Sequence, residues 1–566
     1  MKFRPLAVFA LSAGLAVLVG DFTTLDAQDK ALKKGKKKAD PPAPAKPAEP
    51  AKPEPKPVPP EPTLATPKEK DAAALAKVID AEINRRLAEQ KLVASAACSD
   101  EEFLRRASLD VVGVIPSAER AKAFLDSKDA DKRAKLLDEL LADSRFGRRM
   151  ADIWTAKLFP KDSGNRFVLK DPLYKWFQDE FNKNAGWDKL VSELVTATGS
   201  VSENGAVTYF LANRSVDKLT DTTTQHFLGV QLQCAQCHNH PFTSWKQTEY
   251  WGMATFYSKV KADNPKNANK GGDNTTIGVT EGPRATKAKD FFPESAKTVP
   301  AKFLGGESPN LGNDAYRPTL AKWMTSPSNP FFAKSMVNRT WAHLFGRGFV
   351  NPVDDMLPEN DPSHPDLLAA LAKHVATTGQ FDLKYLIKAM CLSDAYQRTS
   401  KPTAANKTDA ALYSHMAVKV LSPEQLFDSL AEVTGSIQAN AKGGGKGQAG
   451  AAKGAGKLGS RDQFVNFFLA GAETTSQIDY DAGIPQALRL MNSPIANNAA
   501  AVRAVTGGAS KPEDAIERIY LAALSRRPTA EEIKNLTAYV ARVGGQTAYG
   551  DILWAVLNSS EFTLVR

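Results

Sequence analysis

The chain has 566 residues, with 73 Lys and Arg against 63 Asp and Glu, for a formal net charge of +10. Residues 28–70 alone hold 11 Lys against 6 Asp and Glu, which is half of that excess. The basic balance therefore describes a tail and gives no argument for a nucleic-acid site, and no run after residue 20 is apolar enough to span a bilayer.

In chain order, Lys2 and Arg4 precede an apolar run from Leu6 to Gly20. That run is short for a membrane span and has the form of an export signal. Leu25-Asp26-Ala27 offers a small residue for cleavage, so residues 1–27 are expected to be a signal peptide, with a retained anchor as the alternative. Either way the body is expected in the periplasm or cell envelope, where haem c attachment takes place and disulfides persist. Residues 28–71 are rich in Lys, Pro and Ala. They cannot bury enough apolar surface to offset their ordering entropy and are expected to form a disordered, moderately stiff linker. A solvated spacer is the favoured role, and contact with an anionic surface is the alternative.

The remaining roughly 495 residues exceed the usual length of one domain. Their apolar spacing is mainly helical. Helices are expected over Ala72–Leu92, after the capping box of Ser99 and Glu102, after Pro116-Ser117, and over Asp131–Leu141, Asp171–Phe181 and Trp187–Thr196. Thr222–Gln233 and Ser244–Tyr257 are read as two more. Residues 259–312 lose the rhythm and are expected to hold a short strand pair at a domain junction. Helical signals resume at Tyr316, with starts at Ser363, at Ser422-Pro423 and at the Thr529/Glu532 box. Residues 442–460 superficially suggest a phosphate loop, but the spacing fails: Gly456-Lys457 is followed by Leu458, and Ala451 stands where Gly is needed. A flexible insertion is expected there. The fold class is mainly α, with helical domains at 72–258 and 313–566.

Cys234-Ala235-Gln236-Cys237-His238 is the one segment that points to chemistry. With four Cys and seven His in the chain, a chance CxxCH has a probability on the order of 10⁻³ or less. Two thiols at this spacing can take haem c through thioethers, with the adjacent imidazole as axial ligand. Zinc is a second reading, through Cys234, Cys237, His238 and His240, although adjacent ligands suit a tetrahedron poorly. A disulfide or dithiol is the third. Haem is favoured. Met253 is the nearest thioether for a further iron ligand and His240 the nearest second imidazole; His226, Met336 and His343 have no spacing that decides. Tyr250, Met253, Ala254 and Tyr257 share one helix face beside the motif. Cys98 and Cys391 read as buried thiols, although a disulfide between them is an open alternative. His364 reads as part of a helix start and Asp354-Asp355 as turn residues. No nucleophile elbow, zinc-protease or dinucleotide motif is present.

Several segments together resemble a known family. They are LRRASLD at 104–110 with GVIPS at 113–117, FLGVQLQCAQCHNHPF at 227–242, NPFFAKSMVNRTWAHLFGRGFVNPVDDM at 329–356, FDLKYLIKAMCLSDAYQRTS at 381–400, and the C-terminal IERIYLAALSRRPTAEE and ILWAVLNSSEF. The chain resembles planctomycete-type exported proteins that carry two adjacent domains of unknown function, 1549 and 1553. Many relatives add an N-terminal cytochrome domain with its own CxxCH, whose place is taken here by the Lys/Pro segment. The resemblance implies that Cys234, Cys237 and His238 match the family's internal motif. The expected function is a c-type cytochrome-like envelope protein passing electrons to an envelope redox partner. The alternatives are a non-redox scaffold whose CxxCH is a disulfide or metal clip, and an accessory to extracellular polymer degradation.

Overall fold

Helix starts are set by side chains that accept the first free backbone N–H groups. The computed structural model describes residues 64–159, 168–241, 243–263, 277–282, 299–311, 315–357, 360–435, 461–469, 484–492 and 499–566. The expected signal peptide, nearly all of the linker and the Gly/Lys insertion at 442–460 lie outside the described residues. Asp71 caps α1 (Ala72–Glu89), Ser99 caps α2 (Asp100–Val112) through the Glu102 amide, and Ser117 caps α3 (Ala118–Asp126). There follow α4 (Lys132–Ala142), α5 (Arg145–Leu158), α6 (Asp171–Asn182) and α7 (Trp187–Thr196). The first three starts fall where the capping residues place them, whereas α4 to α7 begin without a side-chain cap.

The next stretch departs from expectation. The helix expected over Thr222–Gln233 is broken. After α8 (Thr208–Ala212), α9 (Val216–Thr223) ends in one π-helical turn, Thr224–Leu228, closed by Gly229 at φ 71°. A Cβ at Gly229 would also stand 3.1 Å from Met356 Sδ. Positive φ and close approach together explain why the helix stops there. The chain then runs through a 3₁₀ turn, Gln233–Gln236, to α10 (Gln247–Thr255).

The expected strand pair is present and larger. Strands β1 (Gly199–Ser200), β2 (Val260–Ala262) and β3 (Gly278–Glu281) form an antiparallel sheet in the order β1-β3-β2, with Gly199 opposite Val279 and Val260 opposite Glu281. Beyond it come α11 (Tyr316–Met324), α12 (Phe332–Phe345), α13 (Pro365–Ala376) and α14 (Leu383–Leu392). The N-cap of α13 is His364 rather than Ser363, whose hydroxyl instead meets the His364 ring at 3.0 Å. Next are β4 (Lys419–Val420), α15 (Pro423–Val433), α16 (Arg461–Leu469), α17 (Ile484–Met491), α18 (Ala499–Thr506), α19 (Pro512–Leu524), α20 (Ala530–Val543), α21 (Gly545–Leu557), α22 (Ser560–Thr563) and β5 (Leu564–Val565). Strands β4 and β5 pair antiparallel, bringing the last residues back beside residue 419.

All described residues belong to one compact unit with two hydrophobic cores. The first runs from Leu75 to Met416, with Leu521, and crosses the irregular segment between residues 259 and 312. The second gathers Leu421 to Val565 and also takes in Leu109 and Ile115. Helix α2 serves both: Phe103, Leu104, Ala107 and Val111 face the first core and Leu109 the second. Cys98 and Cys391 are buried in the first core as separate thiols.

Candidate functional site

The CxxCH segment is a surface turn held from beneath. Ala235 is fully buried and anchors it, with its amide donating to Leu232 O at 2.8 Å. Cys234, Cys237 and His238 are exposed, so both thiols and the imidazole are open to solvent. The support is α10. The Gln247 side chain donates to Gln236 O at 3.1 Å and to Cys237 O at 2.9 Å, and Trp251 Nε1 donates to Gln236 O at 3.1 Å. These two residues are four apart and lie on one face of the helix. Asn239 Oδ1 accepts the Gln247 amide at 3.0 Å, and the His240 amide donates to Trp245 O at 2.8 Å. The turn that carries the thiols therefore has its carbonyls tied while its side chains remain open to solvent.

His238 Nδ1 lies 2.7 Å from Asn239 O. A carbonyl only accepts, so Nδ1 must carry the proton and Nε2 is left as the basic nitrogen. An imidazole that ligates a metal through Nε2 is commonly oriented by this kind of Nδ1–H···O=C bond. Two free exposed thiols three positions apart and an adjacent imidazole with Nε2 available form a donor set that fits c-type haem.

The further ligands considered are less favourably placed. Met253 is 1 % exposed and sits about 160° around α10 from Trp251, on the face turned from the turn. Tyr250, Ala254 and Tyr257 are likewise buried, so that stripe is core. His343 Nε2 donates to Asp110 O at 2.9 Å, and burial pushes its imidazole down to about 4. Burial drives His226 well below the ordinary histidine range as well. Met336 is buried among α12 and its neighbours. Among the described residues no group of three or more His, Cys, Asp and Glu converges as a metal cluster. Cys234, Cys237, His238 and His240 thus do not point at one zinc-sized centre.

Sequence reasoning missed the clamp and the acidic pair behind it. Asp217 and Asp221 are successive turns of α9, and Tyr250 reaches both the Asp217 carbonyl, at 3.4 Å, and the Asp221 carboxylate. Burial raises the Asp221 carboxyl to about 6, and the Asp217 charge adds to the rise. The i, i+4 spacings of Gln247/Trp251 and Asp217/Asp221 were visible signals, but nothing in the sequence showed that the two helices meet at this turn.

Comparison with family descriptions matches residues 78–262 to a protein of unknown function, DUF1549, and residues 316–540 to a second, DUF1553. The chain is a DUF1549–DUF1553 protein. The CxxCH turn lies inside the DUF1549 segment, and α12, α14 and the second core lie mainly in the DUF1553 segment. No curated protein and no solved structure matches the chain. Among the described residues no helix is long and apolar enough to cross a membrane.

Proposed function

We propose that this DUF1549–DUF1553 protein is an exported c-type haem protein that exchanges electrons with a partner in the cell envelope. In this reading Cys234 and Cys237 would hold the porphyrin through thioethers and His238 would ligate the iron through Nε2. The observation that carries it is the turn itself: both thiols exposed, and the imidazole oriented by Asn239 O with Nε2 unoccupied by any internal bond. Haem held there would supply one-electron chemistry at an exposed edge. The protein's own contribution is positional: Gln247 and Trp251 fix the carbonyls of the turn, and Ala235 locks it to the core. An exposed site suits electron exchange with a docked partner rather than turnover of an enclosed substrate.

A second reading keeps support from the same geometry. Two exposed thiols on one short turn can also serve as a dithiol–disulfide pair. Production of the full chain together with a haem-maturation system separates the two. The haem reading expects a red protein whose mass exceeds that of the chain by one haem and whose haem survives denaturation. Cys234→Ser with Cys237→Ser should then give a colourless protein. A colourless wild type, with loss of free thiols at 234 and 237 on oxidation, overturns the haem reading in favour of the dithiol.

A further inference from the structure

A narrow cavity of about 70 Å³ lies between α5, α12 and α14. Met150, Ile153, Trp154, Met336, Leu383 and Ile387 form its apolar walls, and Arg339 and Lys157 supply its charged positions. It joins the DUF1549 segment, which provides α5, to the DUF1553 segment, which provides α12 and α14. No residue of the Cys234–His238 turn lines it, so a ligand bound in it is independent of the haem reading.

Arg339 is the unusual member. It is 9 % exposed, and its Nε has no hydrogen-bond partner among the described residues. One terminal nitrogen donates to Gln225 O. The nearest carboxylate, Asp354, stands 3.9 Å away, too far for a hydrogen bond. Both Asp354 oxygens are already engaged, by the side-chain amides of Gln225 and of Gln231. Burial lowers the Arg339 pKa to about 10, the direction expected of a cation short of compensation. The other polar groups of the wall do not answer it. The Thr340 hydroxyl donates to Met336 O at 2.8 Å, His343 is held at Asp110 O, and Lys157 adds a second positive charge. A buried cation short of acceptors forfeits its hydration with little in return, and an anion in the cavity that Arg339 lines would compensate the guanidinium charge.

We propose that this cavity binds a small unbranched aliphatic carboxylate, with the carboxylate on Arg339 and the alkyl chain between Trp154, Met150 and Met336. The volume is about half that of an engineered cavity that accepts one benzene ring, so it holds only part of an extended chain, the rest lying toward the cavity's open side. The head and the walls each make a demand: acetate lacks the chain and hexanol lacks the charge.

The probes are hexanoate, 1-hexanol and acetate, titrated against the full-length protein by calorimetry, with thermal unfolding as the second readout. Hexanoate is expected to bind at least tenfold more tightly than either control and to raise the melting temperature with concentration. Arg339→Gln should lower hexanoate affinity at least tenfold and leave hexanol unchanged. Ile153→Trp, which keeps Arg339 and fills the cavity, should abolish hexanoate binding, and this variant serves if Arg339→Gln does not fold. Equal binding of hexanoate and hexanol, hexanoate binding that survives Ile153→Trp, or no binding of hexanoate at ~10 mM would each overturn the proposal.

Discussion

Single side chains hold the CxxCH turn in place, and their contributions are separable. Trp251 does two things: its ring is buried in the core and its Nε1–H donates to Gln236 O. Trp251→Phe retains much of the apolar ring and removes the donor. One hydrogen bond is worth about 1 kcal/mol net, so amide hydrogen exchange across residues 233–238 should quicken roughly fivefold. Unchanged exchange in the turn would mean that the Trp251 bond does not hold it. The same scale explains what the resembling segments contain. In LRRASLD, Arg105 donates to Ala523 O at 2.8 Å and to Phe562 O at 2.6 Å. Arg106 donates to Tyr396 O at 2.6 Å, Arg398 O at 3.0 Å and Arg566 O at 2.8 Å. Asn338 of the 329–356 segment both donates to Val350 O and accepts from its amide. These residues are buried polar ties between separate stretches of chain. The sequence displayed them as words, but apart from Glu102, which pairs with Arg106 four positions on, the partners of the two arginines lie hundreds of positions away, so most of their purpose was not legible from spacing.

Elements were legible where their ends are written locally. Ser422, Pro423 and Gln425 form a capping box with Pro in the first turn of α15, and Thr529 with Glu532 forms another at α20. The two boxes differ in surroundings. Ser422 and Gln425 are buried, and Gln425 also donates to Leu109 O at 2.8 Å, whereas the Thr529 box faces solvent. Ser422→Ala should therefore cost more than Thr529→Ala: about 2 kcal/mol against about 1 kcal/mol, measured by urea unfolding of the two variants. Equal costs would show that the buried setting adds nothing. The expected Thr222–Gln233 helix failed for the complementary reason. Its apolar rhythm continues through Phe227, Leu228, Val230 and Leu232, all buried, but Gly229 takes a left-handed conformation against Met356. Burial alone produced that rhythm, and the one local stop signal was a single glycine. The thiols and His238 were legible as a motif; the clamp beneath them depends on α10 meeting the turn, which no periodicity states.

At the scale of the whole molecule, the two family segments are joined by charged and polar groups as well as by apolar packing. Asp110 on α2 accepts from Lys419 at 2.6 Å and from the Tyr396 hydroxyl at 2.9 Å, while its carbonyl lies 2.9 Å from His343 Nε2. Lys419 also donates to His343 O at 3.0 Å and Leu344 O at 2.8 Å. His343 is thus built into the seam in its neutral form. Burial pushes its pKa down to about 4, and nearby Arg149 pushes the same way. Burial likewise brings His364, on α13's N-cap, down to about 4. A depressed histidine pKa means that the unfolded chain binds more protons through this window. Its stabilising effect is complete above the unfolded value near 6.5 and is lost as pH falls through about 4. Asp221, raised to about 6, acts in the opposite sense over part of the range, so the total slope is a difference, and only a comparison of variants isolates the seam. His343→Gln retains a side-chain donor for Asp110 O without a titrating ring. Urea midpoints should fall further between pH 7 and pH 4 in wild type than in His343→Gln, by up to about 3 kcal/mol of unfolding free energy. Parallel falls in the two proteins would show that acid opens the molecule somewhere other than this seam.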